Sequence, residues 1–327
     1  MASNLKLADF KTDVHIDWCP GCGDFGVTNG LQQALLKLGV EPHRVALFSG
    51  IGCSGKFPHY FNVYGYHTLH GRVLPYAIGC KLANPNLTVV AIGGDGDGMG
   101  IGGGHFVNSG RRNVDITYIM MNNGVYGLTK GQASPTLDLG MKTRHLTKPN
   151  INQGMNPILL AVTSGYTFVA RTYSYNIKHM VETFMKAIQH PGMAFVDVLQ
   201  GCPTYNDLWT PDFYLGKDRI DPETGKPRPR LYNLQDDGWD PYFSRKEMSD
   251  AELRAKMGEL YARATEFGER IAIGIFYVDT ELSTYEERIE QTIPNYRALP
   301  PALRRIADEE GRPLTDIRPL LESLRVN

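Results

Sequence analysis

The chain contains no apolar run of about eighteen residues, so no membrane-spanning helix is expected. Its opening, Met1-Ala2-Ser3-Asn4-Leu5-Lys6, is followed by no apolar stretch of the secretory kind, and a cytoplasmic location is the expectation. Neither sign of charge dominates: 34 Lys and Arg against 35 Asp and Glu leave a formal net charge of −1. That balance offers no general attraction for nucleic acid or an anionic membrane. Cysteine is scarce and odd in number, with Cys19, Cys22, Cys53, Cys80 and Cys202 making five. An odd count without a secretion signal argues against a disulfide framework and leaves a metal or cluster role open. Internal repeats are also absent.

What is present is an ordinary globular composition. The 327 residues are 42% hydrophobic with a mean hydropathy of −0.28, enough for one large α/β domain with appendages or two small domains. The 35 glycines and 20 prolines fit a loop-rich α/β architecture. Val27, Leu31, Ala34, Leu35 and Leu38 have helical spacing and stop at Gly39. Strands are expected at Arg44–Phe48, Asn86–Gly93, Asp115–Met121, Tyr166–Thr172 and Ala194–Leu199. Helices are expected from His70-Gly71-Arg72 to about Asn84, from about Gly102, and over Ile177–Gln189. This alternation predicts a doubly wound parallel sheet flanked by helices. The segment up to about Asp17 reads as a polar arm. Residues 218–240 read as a long surface excursion. A helix near Ser249–Arg263, a strand at Arg270–Val278, and helices near Tyr285–Gln291 and Asp316–Arg325 form a C-terminal α/β extension. The expected organisation is a core over 1–215 and an extension over 216–327. The basic run Lys142–Lys148 reads as a solvated loop that could meet an acidic carrier protein.

Two glycine-rich segments carry the chemistry. Gly94-Asp95-Gly96-Asp97-Gly98 closes one strand, and Asn122-Asn123-Gly124-Val125-Tyr126-Gly127 closes the next. Strand ends of an open α/β sheet are where ligands bind. A carboxylate, an amide oxygen and nearby carbonyls make a hard-oxygen set suited to Mg²⁺, which keeps waters and takes substrate phosphates. The glycines allow close approach of a diphosphate. The cysteines supply a second element. Trp18-Cys19-Pro20-Gly21-Cys22-Gly23 precedes a helix, Cys53 lies in a glycine-rich loop after a strand, and Cys202 follows the strand 194–199. A CxxC has three common readings, namely zinc, thiol redox or an iron–sulfur ligand pair. Four thiolates suit a tetrahedral zinc or a [4Fe–4S] cluster equally by count, and spacing does not separate them. Cys80, within an apparent packed helix, reads as a small buried thiol.

Gly94-Asp95-Gly96 followed by Asn122-Asn123 resembles the thiamine diphosphate signature, GDG and then N or NN some 25–30 residues on. With Asn123-Gly124-Val125-Tyr126-Gly127-Leu128-Thr129, it resembles one branch of that superfamily, the β subunits of 2-oxoacid:ferredoxin oxidoreductases. Trp18-Cys19-Pro20-Gly21-Cys22-Gly23, Gly52-Cys53-Ser54 and Gly201-Cys202-Pro203-Thr204-Tyr205-Asn206 are similar to the family's four-cysteine cluster set. The resemblance covers roughly residues 10–215. The sequence beyond matches no motif we can read, and no CxxCxxCxxxCP run is present for a fused ferredoxin module.

The resemblance implies oxidative decarboxylation of a 2-oxoacid (2-oxoglutarate or pyruvate) with coenzyme A, to acyl-CoA and CO₂. Electrons would pass through a [4Fe–4S] cluster to ferredoxin. It implies Asp95, Asn123 and the Val125 carbonyl as Mg²⁺ ligands, and Cys19, Cys22, Cys53 and Cys202 as cluster ligands. Gly94, Gly96 and Asp97 would shape the diphosphate pocket, with Ile51, Gly52 and Gly127 near the cofactor. Thr129 would donate to a phosphate and Leu128 would touch substrate. Lys56 could pair with the substrate carboxylate or be an exposed loop lysine. His70 could reach the diphosphate or pyrimidine, or simply open a helix, and His105 reads as structural. The carboxylate that activates the aminopyrimidine finds no assignment. In this family it sits on a partner α chain or α/γ fusion, so the chain is expected to be inactive alone, in a heterodimer or dimer of heterodimers. Other readings are a non-redox thiamine diphosphate decarboxylase or synthase with a structural zinc, a non-catalytic nucleotide- or metal-binding module, and a purely structural subunit.

Overall fold

Strands buried along their whole length need cover on both faces, and β-branched and apolar runs supply it. The computed structural model describes residues 5–325. In chain order the elements are α1 (Asp24–Lys37), β1 (Val45–Ser49), β2 (Tyr64–His67), α2 (Val73–Ala83), β3 (Thr88–Gly94), α3 (Gly103–Gly110) and β4 (Thr117–Asn122). The short strands β5 (Val125–Tyr126) and β6 (Gln132–Ala133) follow, then α4 (Pro157–Ser164), β7 (Phe168–Tyr173), α5 (Ile177–Gln189) and β8 (Ala194–Leu199). Last come α6 (Pro211–Tyr214), β9 (Leu231–Asn233), α7 (Asp250–Thr265), β10 (Ile271–Val278), α8 (Tyr285–Thr292) and α9 (Arg318–Ser323).

The main sheet has the order β2-β1-β3-β4-β8-β7-β10-β9. It is parallel from β2 to β7; β10 runs antiparallel to β7, and β9 parallel to β10. The mostly parallel sheet flanked by helices is the architecture expected from the alternation. Successive strand residues face opposite layers. Val90 and Ile92 meet α1 and α5, through Val27, Leu31, Leu35, Met180 and Phe184. Val89 and Ala91 meet the opposite layer, with Val73, Ala77, Phe106, Ile158 and Leu260 from α2, α3, α4 and α7. No helix among the described residues is long and apolar enough to cross a membrane.

Three expectations need correction. The N-terminal segment is not a loose arm: Phe10 is fully buried, Lys11 bridges Phe61, and Asn62 N donates to Phe10 O at 3.1 Å. One aromatic in a polar stretch was enough to pin it. Residues 218–240 are not wholly a surface excursion. They contribute β9 and bury Leu234 and Trp239, whose Nε1 donates to Phe276 O at 3.0 Å. Cys80 is half-buried rather than sealed in the core. The edge strand β2 was missed because its four residues are all exposed and leave no apolar alternation. α4 was missed although Asn156-Pro157 announces it; the Asn156 side chain accepts from Leu159 N.

A buried charge ladder crosses the sheet. Arg171 on β7 faces Asp197 on β8 in register, and Nε donates to Asp197 Oδ2 at 2.8 Å. Asp197 Oδ1 accepts from Asn122 Nδ2 at 3.0 Å. Both charges are nearly sealed from water. Asp197→Ala is expected to cost about 3–5 kcal/mol, because it leaves Arg171 buried and uncompensated; chemical denaturation of the purified chain checks this.

His190 supplies a pH dependence. Its Nε2 lies 2.7 Å from Thr167 Oγ1, which itself donates to Asn113 Oδ1 at 2.7 Å, so His190 carries its proton on Nε2 as a neutral donor. Burial pushes its pKa down to about 4. The unfolded chain, with histidine at about 6.5, therefore binds the extra proton first. Stability from this group is full above about pH 6.5 and falls as pH drops towards 4. The denaturation midpoint should fall from pH 7 to pH 5, and His190→Gln should flatten part of that slope.

Candidate active site

The loops after β1, β3, β4 and β8 leave the same edge of the sheet, from four adjacent strands. Chain order reverses between β1 and β3, which opens a crevice at the strand ends. A cavity of about 250 Å³ lies there. Asp95, Asn123, Val125, Lys56, His70 and the four cysteines 19, 22, 53 and 202 all line it. So do Ile51, Gly52, Gly94, Gly96, Asp97, Gly127, Leu128 and Thr129. Every residue singled out for the site thus reaches one cavity, although they come from segments nearly two hundred residues apart. His105 does not line it; it lies within α3, where its carbonyl accepts from Ser109 Oγ at 2.7 Å.

Asp95 is buried at the end of β3. Its Oδ2 accepts from Gly124 N at 3.0 Å, Ser134 Oγ at 2.5 Å and Thr136 Oγ1. Among the described residues, its Oδ1 accepts only from Gly96 N, at 2.9 Å. Burial raises its pKa, and the hydrogen bonds from Ser134, Thr136, Gly124 and Gly96 oppose that rise. One carboxylate oxygen is saturated and the other retains lone-pair capacity, a fit for a hard cation. Asn123 Oδ1 accepts from Val125 N at 3.0 Å, while its Nδ2 donates to Gln200 Oε1 at 2.6 Å. The amide oxygen is thereby turned away from Gln200.

Asp97 Oδ1 accepts from Ile51 N (3.0 Å), Gly71 N (2.7 Å) and His70 Nδ1 (2.8 Å). Asp97 Oδ2 is buried without a partner among the described residues. The carboxylate holds the proton on His70 Nδ1, so Nε2 is the ring nitrogen left for a ligand. His70 lines the cavity from the turn before α2, two residues ahead of the Arg72 cap, so it does not itself open the helix.

The CxxC is a tight turn in which Cys22 N donates to Cys19 O at 2.9 Å. Gly21 sits at φ +80°, a conformation that strains any side chain. Gly23 N donates to Gly201 O at 3.1 Å and ties this turn to the Cys202 loop. Trp18 Nε1 donates to Cys53 O at 2.8 Å and ties it to the β1 loop. All five cysteines are free thiols. Burial raises the Cys22 and Cys202 thiols and pushes Cys53 up to about 11; the nearby Asp24 carboxyl adds to each rise. Asp24 is itself pushed up to about 7 by burial. These three thiols become thiolates only against a bound metal charge. Among the described residues, no three His, Cys, Asp or Glu side chains close on one point as a single metal ion needs. Four cysteines lining one cavity are a donor set that either a zinc ion or an iron–sulfur cluster could use.

At the cavity mouth, Lys56 Nζ contacts Asp17 Oδ2 at 2.7 Å, and Tyr60 OH donates to Asp17 Oδ1 at 2.6 Å. Hydrogen bonds from Lys56 and Tyr60 hold Asp17 down at about 2. The lysine is thus neither a bare substrate cation nor a wholly solvated side chain. Thr129 Oγ1 donates to Gln132 Oε1 at 2.6 Å, so a phosphate would have to compete for it. Leu128 is half-exposed at the rim. Sequence reasoning missed Asp17, Asp24, Ser134, Thr136 and Gln200. Only Gln200 carried a signal, its place directly before Gly201-Cys202; the others depend on how the chain folds back.

Residues 50–198 match the family described as thiamine pyrophosphate enzyme, C-terminal TPP binding domain, which defines the class of protein. Residues 227–293 match a second family, described as the C-terminal part of the pyruvate ferredoxin oxidoreductase β chain. The extension that carried no legible motif is thus a recognised part of the same type of protein. A 2-oxoacid:ferredoxin oxidoreductase subunit β from Saccharolobus solfataricus is 53% identical over 95% of this chain and 97% of its own length. Subunit β of 2-oxoacid:ferredoxin oxidoreductase 1 from Aeropyrum pernix is 49% identical, over 94% and 92%. Among solved structures, a 2-oxoglutarate:ferredoxin oxidoreductase from Magnetococcus marinus, with 2-oxoglutarate, coenzyme A and succinyl-CoA bound, aligns with a TM-score of 0.76. The identity is 32%, over 99% of this chain and 97% of that one. The chain belongs to the family of 2-oxoacid:ferredoxin oxidoreductase β subunits.

Thr136 supports Asp95 without lining the cavity. If Asp95 holds Mg²⁺, Thr136→Val is expected to weaken Mg²⁺-dependent thiamine diphosphate binding about 10- to 100-fold, the usual effect of removing an outer partner of a metal ligand. Calorimetric titration of the assembled complex measures it.

Proposed function

We propose that this protein, with a partner chain, catalyses the oxidative decarboxylation of a 2-oxoacid with coenzyme A, to acyl-CoA and CO₂, electrons leaving through a [4Fe–4S] cluster to ferredoxin. The observation that carries the reading is one cavity lined by both the Asp95–Asn123–Val125 set and all four cysteines. Asp95 and Asn123 would hold Mg²⁺ through their side-chain oxygens, with the Val125 carbonyl. Gly94, Gly96 and Asp97 would border the diphosphate, with His70 Nε2 within the same cavity. Bound thiamine diphosphate supplies an electron sink at the carbonyl carbon. A cluster held by Cys19, Cys22, Cys53 and Cys202 supplies a one-electron acceptor beside it. Lys56 binds the substrate carboxylate by exchanging it for Asp17, and Leu128 lies against the substrate chain. The substrate is 2-oxoglutarate, or a broad set that includes pyruvate.

The chain supplies half of the site. The carboxylates lining the cavity are Asp17, Asp24, Asp95 and Asp97, and among the described residues no glutamate lines it. Asp17 is paired with Lys56, and Asp95 and Asp97 accept backbone donors, whereas Asp24 Oδ1 is buried without a partner among the described residues. As in the family the chain belongs to, the carboxylate for the aminopyrimidine would come from an α or α/γ partner in a heterodimer or dimer of heterodimers. Exposed Tyr64 and Tyr66 on the edge strand, and Leu314, Ile317, Leu320 and Leu321 near the C-terminus, offer apolar surface for that partner. Residues 216–327 would act as an extension packed on the 1–215 core, joined by the β10–β7 pairing. Exposed Lys142, Arg144 and Lys148 suit an acidic ferredoxin. Free thiols and a cluster fit a reducing cytoplasm.

Anaerobic purification of the β chain with its partner tests this. The complex should be brown, absorb broadly near 400 nm, contain iron, sulfide and thiamine diphosphate, and reduce ferredoxin only with 2-oxoacid and coenzyme A. A colourless zinc protein, or ferredoxin reduction by the β chain alone, would overturn the proposal. Lys56→Met should raise KM for 2-oxoglutarate about tenfold with little change in kcat, the pattern of lost ground-state binding.

A further inference from the structure

Gln200 stands between the two halves of the site. It follows β8 directly and is buried. Its Oε1 accepts from Asn123 Nδ2 at 2.6 Å. Its Nε2 donates to Cys22 Sγ at 3.2 Å and to Gly201 O at 3.0 Å. Its backbone N donates to Asn122 O at 2.9 Å. Gly201 O and Cys22 Sγ can both take a proton, whereas Asn123 Nδ2 can only give one. That fixes which end of the Gln200 amide faces which partner. All the hydrogen-bonding capacity of the amide NH₂ is used. The side chain reaches this position because residue 23 is glycine: a Cβ there would stand 2.8 Å from Gln200 Cγ.

We propose that Gln200 is the positioning residue that couples the diphosphate-metal half of the site to the sulfur half, and that its N–H···S bond raises the reduction potential of the cluster. The proposal rests on the reading of Asn123 as a Mg²⁺ ligand and Cys22 as a cluster ligand. Two physical effects follow from one amide. By holding Asn123 Nδ2, Gln200 keeps Asn123 Oδ1 directed away from itself, where a metal can use it. By donating to Cys22 Sγ, it stabilises the negative charge that a one-electron reduction adds to the thiolate-bound cluster. Exclusion of water from the site strengthens both bonds. A neutral amide does this without adding charge to a cavity that already holds four aspartates and four thiols.

The test uses the assembled complex, with Gln200→Met and Gln200→Glu. Redox titration followed by electron paramagnetic resonance reads the cluster, and calorimetry reads Mg²⁺-dependent thiamine diphosphate binding. Gln200→Met removes both contacts. It should shift the one-electron equilibrium of the cluster about tenfold towards the oxidised form, about 59 mV, and weaken cofactor binding about tenfold. Gln200→Glu keeps the acceptor for Asn123 and replaces the sulfur donor with a carboxylate. It should lower the potential at least as far, with cofactor affinity within about twofold of wild type. An unchanged potential in Gln200→Met, with iron content retained, would overturn the proposal. Loss of iron from both variants would also overturn it, leaving Gln200 as a packing residue. A wild-type complex without an iron–sulfur signal would instead overturn the cluster reading beneath it, so the two failures are told apart.

Discussion

A carboxylate buried at the end of a central strand constrains the rest of this structure. Asp95 cannot remain there unless donors surround it. They come from three places: the backbone at Gly96, the backbone at Gly124 after the next strand, and the hydroxyls of Ser134 and Thr136 on the segment that folds back through the β5–β6 hairpin. Satisfying one side chain thus sets the spacing between two strand ends and the path of the loop between them. Thr136 Oγ1 also stands 2.9 Å from Asn122 Oδ1, and Asn122 meets Asp197, which meets Arg171. The polar shell of the site is continuous with the ladder that runs across three strands of the sheet.

The thiol side is organised by bonds to backbone carbonyls. Gly23 N to Gly201 O joins the first and last cysteine loops, and Trp18 Nε1 to Cys53 O joins the first and second. Asn206 Nδ2 donates to Asn123 O at 2.7 Å, tying the Cys202 loop to the loop of the oxygen donors. These bonds hold the four thiols and the hard-oxygen set around one cavity while no residue contributes to both donor sets. Of the carboxylates that line the cavity, Asp17, Asp95 and Asp97 are engaged by Lys56, Gly124 and Gly71.

The sequence was most legible where burial is symmetric or periodic. α5 emerged at its observed bounds because Met180, Val181, Phe184 and Ala187 repeat at helical spacing behind an Asn176 cap. β8 did so because each of its residues is apolar or paired and buried. Legibility failed where an element has no buried side chain, as in β2, or where a short segment is held by a partner distant in the chain. β9 is three residues long and exists because β10 pairs with it; no local pattern announces it. Phe10 and Trp239 show the same thing for single residues: one aromatic can pin a segment whose neighbours all read as solvated.

By itself the sequence determined the alternation of strands and helices, the two glycine-rich strand ends and the four cysteines of the site. These depend on local periodicity, on residue chemistry and on motif spacing, all of which survive without a fold. The tertiary structure decided what those residues do to one another. It paired Lys56 with Asp17, set His70 on Asp97, surrounded Asp95 with Ser134 and Thr136, and placed Gln200 between Asn123 and Cys22. Each of those contacts joins residues from different segments of the chain. The register of β1, β3, β4 and β8 sets the strand ends around which those segments meet.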